Sequence, residues 1–226
     1  VTHANLPQAE RILLEELRER SSSFRLSPKA TRVRAAARRL EFDLLRFLRL
    51  EADSDSEFEP AELERGFGLE GAEPVELDGG LRVRGRIDRV DAADGMALVI
   101  DYKTGKRVDR YKVASWEKEN RFQAALYMLV AEKLLGKQAV GGVYVALGSA
   151  DPRPRGMVAD DVAELGTRWF DTDRVSQGQL REKLDWALGR IRETDALMRA
   201  GELCSRPDRC DWNGGCKYPS ICRSER

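Results

Sequence analysis

Asp88-Arg-Val-Asp-Ala-Ala-Asp-Gly-Met-Ala-Leu-Val-Ile-Asp101-Tyr-Lys103 decides the reading of this chain. Leu81 to Asp91 has the composition of a strand, Ala92-Ala-Asp-Gly95 that of a turn, and Met96 to Lys103 that of a second strand, so the stretch predicts a β-hairpin. Side chains alternate faces along a strand, which sets Asp101 and Lys103 on one side and Tyr102 on the other. With the turn centred near Asp94, Asp88 lies across from the region of Val99 to Asp101, within reach of a shared ion. Asp101 follows Leu98-Val-Ile100, a buried-looking run where a charge is costly unless it is paired or bound to metal. Two carboxylates beside an ammonium suit a hard divalent cation, a water and a phosphodiester. Asp91 and Asp94, in contrast, read as ordinary turn residues.

Outward from the hairpin, the remaining sequence reads as helices around a sheet. Leu6, Ile12, Leu13 and Leu17 recur at helical spacing, and Ser21-Ser-Ser23 reads as a break. Ser27-Pro28 then opens a helix expected to run to about Glu51. Phe58 to Leu69 suits an extended element. After the hairpin, Arg107 to Lys118 is a basic loop. Glu119 to Gly136 is a helix with Phe122, Leu126, Leu129, Val130 and Leu134 as its apolar stripe. Ala139 to Leu147 is a buried strand, a short strand surrounds Met157, and Ser176 to Ala200 is a second long helix. The order predicts an α/β core around a short mixed sheet. It divides the chain into an N-terminal helical part (residues 1–57), a core (58–200) and a cysteine-bearing tail (201–226).

Composition bounds the function. The 226 residues carry 39 Lys/Arg and 39 Asp/Glu, so net charge does not announce a nucleic-acid partner. The distribution is less even. Residues 1–50 hold eleven basic and six acidic side chains, 51–80 hold one and eleven, and 81–130 hold eleven and seven. Basic surface therefore flanks an acidic connector. No apolar run reaches transmembrane length and no signal peptide is visible, so no transmembrane span and no membrane partner are expected. The first residue is Val rather than Met, which suggests a piece of a longer polypeptide. All four cysteines fall between Cys204 and Cys222. Such clustering fits metal ligation in a reducing, cytoplasmic compartment better than a disulfide framework.

Two further groups bear on chemistry. Gln123 and Tyr127, four residues apart, share a helix face that can look onto the carboxylate end of the sheet; the plainer alternative is a packed tyrosine and a solvated glutamine. Lys106, Arg107, Arg110 and Lys112, with Tyr111 among them, read as a loop that tracks a nucleic-acid strand and stacks a base. The segment Lys103-Thr-Gly-Lys106 lacks the G-x-x-x-x-G-K-[ST] pattern, so no ATPase phosphate loop is present.

Taken in order, Gly85-Arg-Ile-Asp88, Asp101-Tyr-Lys103-Thr-Gly and Gln123-Ala-Ala-Leu-Tyr127 resemble the PD-(D/E)XK nuclease superfamily. More narrowly they resemble the nuclease domain of RecB/AddB helicase–nucleases and their stand-alone relatives. The resemblance covers about Phe58 to Cys222 and implies a restriction-endonuclease-like core. It implies that Asp88, Asp101 and the Tyr102 backbone carbonyl hold Mg²⁺ or Mn²⁺, that Lys103 positions water and stabilises the phosphate, and that Gln123 and Tyr127 orient the lysine and contact DNA. The expected substrate is single-stranded DNA or duplex ends, cut exonucleolytically in DNA repair, and the expected partner is a helicase domain or subunit. A non-catalytic DNA-end-binding module stabilised by its metal cluster is the alternative. The family places a metal-binding His on a helix at the start of the domain. His3, the sole histidine, is the candidate here, with Glu62 or Glu64 as substitutes. The ending Cys216-Lys-Tyr-Pro-Ser-Ile-Cys222-Arg resembles the family's [4Fe–4S] segment, although Cys204, Cys210, Cys216 and Cys222 are all C-terminal and evenly spaced. Zn²⁺ is the alternative metal for the four thiolates.

Overall fold

The structure, a computed structural model, describes residues 1–23, 27–54, 56–163 and 169–202. The chain falls into two units, Val1–Ala187 and Leu188–Arg226. The first opens with helices α1 (Leu6–Ser23) and α2 (Ala30–Ala52), so Ser21–Ser23 extend α1 rather than break it. Strands β1 (Glu59–Phe67), β2 (Val75–Leu77), β3 (Leu81–Val83), β4 (Gly85–Ala93) and β5 (Met96–Lys103) follow. Helix α3 (Gln123–Leu135), strands β6 (Gln138–Ala146) and β7 (Arg155–Ala159), the short helix α4 (Asp160–Ala163) and strand β8 (Arg174–Val175) complete the sheet region. Helix α5 (Gln177–Arg199) buries Leu180, Leu184 and Ala187 in the first unit. From Leu188 the second unit carries the remainder of α5, where Arg190 pairs with Glu193 and Arg199 with Asp195.

Six strands form one mixed sheet in the order β1-β4-β5-β6-β7-β8, and β2 and β3 make a separate two-stranded ribbon. The expected single strand from Leu81 to Asp91 is thus two strands in two sheets, parted at Arg84. The β4–β5 hairpin closes at Asp94 (φ 39°) and Gly95 (φ 81°), a two-residue turn with both central residues left-handed. That geometry matches the twist of the flanking strands and favours Asp-Gly. It is tighter than the four-residue turn expected from sequence. The register Arg89↔Ile100 and Val90↔Val99 follows from it, and carried one pair further it sets Asp88 opposite Asp101.

β5 and β6 run parallel, joined by the α3 crossover, and β6 and β7 run antiparallel. A βαβ unit buries its strands on both faces, which explains why Ala97 to Ile100 and Ala139 to Ala146 are apolar almost without interruption. α3 lies close on β6 because Gly142 presents no side chain: a Cβ there would meet Met128 Sδ at 2.6 Å. The expected helix from Glu119 begins only at Gln123. Before it, short 3₁₀ turns at Asp109–Tyr111 and Val113–Ser115 bury Tyr111 and Val113, and Trp116 follows them, with the Tyr111 and Trp116 rings packed on Tyr144 of β6. On the other face, α2 packs Phe47 edge-on against Tyr102, with ring centroids 5.6 Å apart. Among the described residues, no helix is long and apolar enough to cross a membrane.

Candidate active site

Asp101 and Lys103 leave β5 on the face covered by α3, and Gln123, the first residue of α3, is the hinge of the cluster. Its side-chain amide donates to Asp101 Oδ1 at 2.9 Å and accepts from Lys103 Nζ at 3.1 Å, while Nε2 also reaches Tyr127 OH at 3.3 Å. Lys103 Nζ in turn pairs with Asp101 Oδ2. One amide therefore fixes a carboxylate and an ammonium at once, because it is donor at one end and acceptor at the other. Tyr127 is braced from behind by Phe67, edge-on at 6.3 Å. Asp88 completes the site from β4: its Oδ2 accepts the Tyr102 backbone N–H at 2.8 Å. Its Oδ1 takes no hydrogen bond from the described residues.

Asp101 is only 2 % exposed. Burial raises its pKa above the ordinary carboxylate value, Lys103 opposes that rise, and the neighbouring Asp88 adds to it. Two carboxylates held at close quarters, one of them buried, are what a hard cation relieves. The donor set fits a divalent ion: the open Oδ1 of Asp88, Oδ2 of Asp101, whose partner among the described residues is the Lys103 ammonium, and the backbone carbonyl of Tyr102, the residue after Asp101. No third acid or histidine joins them among the described residues.

Other expected residues lie elsewhere. His3 pairs with Asp53 at 3.3 Å, beyond the end of α2, and among the described residues it joins no group with Asp88 and Asp101. Glu62 turns to Arg65 at 3.6 Å. Glu64 falls opposite Asp88 between the pairs Leu63↔Arg89 and Arg65↔Ile87, but its backbone is left-handed (φ 50°) and its exposed side chain faces Arg86. Tyr111 is not available to stack a base. Its ring is buried against Tyr144 at 4.9 Å, with the guanidinium groups of Arg121 and Arg110 5.1 and 5.9 Å from its centroid. Lys106, Arg107, Arg110 and Lys112 are exposed. Cys204, Cys210, Cys216 and Cys222 lie outside the described residues.

Tyr144 was not singled out from sequence. In the parallel register it stands beside Asp101, its OH accepts the Ala124 N–H at the start of α3 (3.1 Å), and its ring lies 5.4 Å from Lys103 Nζ. Burial holds its pKa up at about 12, so the neutral ring is a fixed floor under the lysine. Nothing in its own strand marks it. Only the crossover from β5 to β6 brings it under the site.

Known sequences place these motifs in context. An alignment of 62 positions, covering 23 % of the chain, is 52 % identical to part of one subunit of the ATP-dependent helicase/deoxyribonuclease of Symbiobacterium thermophilum. The chain spans about 5 % of that relative's length. The sequence model of the PD-(D/E)XK nuclease superfamily matches residues 2–223, taking in the N-terminal helices as well as the sheet. With a mixed six-stranded sheet flanked by helices and an Asp-Tyr-Lys strand facing a Gln/Tyr helix, the chain belongs to the PD-(D/E)XK nuclease superfamily.

Proposed function

We propose that this chain is the nuclease part of a RecB/AddB-like helicase–nuclease, a deoxyribonuclease that hydrolyses phosphodiester bonds at DNA ends with Mg²⁺ or Mn²⁺. The observation that carries the reading is the Gln123 bridge, which ties the Asp101 carboxylate and the Lys103 ammonium into one rigid unit facing Asp88. Asp88, Asp101 and the Tyr102 carbonyl would hold a divalent ion, which would supply Lewis acidity and lower the pKa of a nearby water. Lys103 holds the attacking water through Nζ and meets the charge that develops on the phosphate oxygens. Gln123 keeps that ammonium aimed, and Tyr144 prevents it from dropping into the sheet. Water adds to phosphorus, the P–O bond to the departing nucleoside oxygen breaks, and that oxygen leaves with a proton. The exposed Lys106, Arg107, Arg110 and Lys112 supply the counter-charge for a DNA backbone approaching the site.

The same reading places a helicase domain or subunit beside this chain, in the cytoplasm. It assigns Cys204, Cys210, Cys216 and Cys222 to a [4Fe–4S] cluster, with Zn²⁺ the alternative. Four thiolates are a full donor set for either, and a site so filled serves folding, not hydrolysis.

The test offers linear single-stranded DNA and closed circular duplex to the chain, first in chelator and then with Mg²⁺ or Mn²⁺. Metal-dependent loss of the linear strand alone, abolished in Lys103→Ala, is the expected result. Linear DNA that is bound and protected but never cut would establish the non-catalytic end-binding module instead.

A further inference from the structure

The sheet face opposite the carboxylates carries a second polar cluster that the hydrolysis above leaves unused. Arg89 follows Asp88 on β4, so it projects to the other side. It is 8 % exposed. Its guanidinium forms a two-pronged pair with Asp91, Nε to Oδ1 at 2.5 Å and Nη2 to Oδ2 at 2.7 Å. Nη1 donates to Glu51 of α2 at 2.8 Å and to the Tyr102 hydroxyl at 3.1 Å. Asp91 is fully buried and the Glu51 side chain is 10 % exposed. Buried ion pairs of this kind contribute little net stability, because desolvation offsets the attraction. The cluster therefore calls for a use other than holding the core together.

Its position supplies one. The β4–β5 register runs from Ala93↔Met96 to Arg89↔Ile100 and stops there, one residue short of Asp88 and Asp101. Past that point two side-chain bonds cross between the strands, and both end on Tyr102. Asp88 takes its backbone N–H on one face, and Arg89 holds its hydroxyl on the other. Phe47 of α2 closes the ring from the side. The N–H and C=O of one strand residue point the same way. Whatever fixes the Tyr102 ring therefore fixes the peptide group that orients Asp88 and the carbonyl offered to the ion.

We propose that Arg89, clamped by Asp91 and Glu51, is a positioning residue that sets the Asp88–Asp101 spacing through Tyr102, coupling the site's affinity for its ion to the seating of α2. The proposal rests on the metal-site reading above.

The experiment measures Mn²⁺ binding to the full chain by titration calorimetry without DNA, alongside melting temperature, for wild type, Asp101→Asn, Tyr102→Phe, Arg89→Lys and Arg89→Met. Residues that orient metal ligands typically alter affinity by about 10- to 100-fold. Tyr102→Phe, which removes one hydroxyl, should weaken Mn²⁺ binding about tenfold. Arg89→Met should weaken it further, and Arg89→Lys, which keeps the charge but not the fork, should fall between wild type and Arg89→Met. In cleavage assays the Mn²⁺ concentration for half-maximal rate should rise while kcat at saturating Mn²⁺ changes less. If Arg89→Met does not fold, Tyr102→Phe decides. Lower melting temperatures with unchanged Mn²⁺ affinity would reduce the cluster to a structural role and overturn the proposal alone. A folded wild type that binds no Mn²⁺, or binds it no better than Asp101→Asn, would overturn the metal-site reading and the proposal with it.

Discussion

Gln123→Leu isolates the amide that joins the carboxylate to the lysine, since leucine keeps the helix propensity and much of the volume. A hydrogen bond to a charged group contributes about 1.5–3 kcal/mol, and Gln123 makes two, so the gross loss is about 3–6 kcal/mol. Most of the lysine's share returns. Its side chain is 27 % exposed, regains water and keeps Asp101. Asp101, with a side chain 3 % exposed, has no such recourse, though the ammonium stays beside it. The net loss is then about 2 kcal/mol, which for a unit of this size lowers the melting temperature by roughly 4–8 °C. The kinetic effect should be larger than the thermal one. A lysine freed from its aim is displaced by an ångström or so, and misplacement on that scale costs on the order of 10²-fold in rate. The assay pairs thermal melting with single-turnover cleavage of a labelled DNA end at saturating enzyme, so that binding drops out. Gln123→Leu that cleaves at the wild-type rate would refute the bridge as the device that aims Lys103. An unchanged melting temperature would refute the energetic account of the buried Asp101.

Asp101 should also give the site a pH signature. Its pKa is raised in the fold, chiefly by burial, so the metal-free chain holds this proton more tightly than the unfolded chain does. Its contribution to stability is therefore fully present below its unfolded pKa and declines as pH rises through the raised folded value. Binding of Mn²⁺ displaces the proton, so affinity should fall as pH descends through that window above about pH 4; calorimetry in buffers of different ionisation enthalpy would show whether a proton is released. Replacing Arg107, Arg110 and Lys112 together should weaken DNA binding and flatten its salt dependence by roughly 0.7 log units per lost phosphate contact. An unchanged slope moves the DNA path away from this loop. Cys216→Ser should lower the melting temperature and release metal, with activity falling only as far as folding falls. Colourless wild-type protein containing one zinc would replace the iron–sulfur assignment, and metal-free protein of unchanged stability would remove both.

Sequence alone determined the parts of this protein that are local. The Asp-Gly pair favours the hairpin because both residues tolerate the left-handed backbone that closes it here, and side-chain alternation then commits Asp101 and Lys103 to one face and Tyr102 to the other. Helical spacing put Gln123 and Tyr127 on one side of α3, and the ordered motifs named the superfamily. What the tertiary structure decided is every relation that crosses between elements. The α3 crossover, admitted by Gly142, is what lowers Gln123 onto Asp101 and Lys103 and carries Tyr144 beneath them. Tyr111 looked like a stacking residue from its basic neighbours, yet the 3₁₀ turns bury it, because an aromatic gains more from a packed ring than from water. Asp91 read as an ordinary turn residue and Arg89 was not singled out, and only the seating of α2 on the far face makes them a buried cluster with Glu51. Periodicity records which way a side chain points along its own element. The partner it meets depends on how sheet and helices close on each other, and that is set by the burial of the whole core.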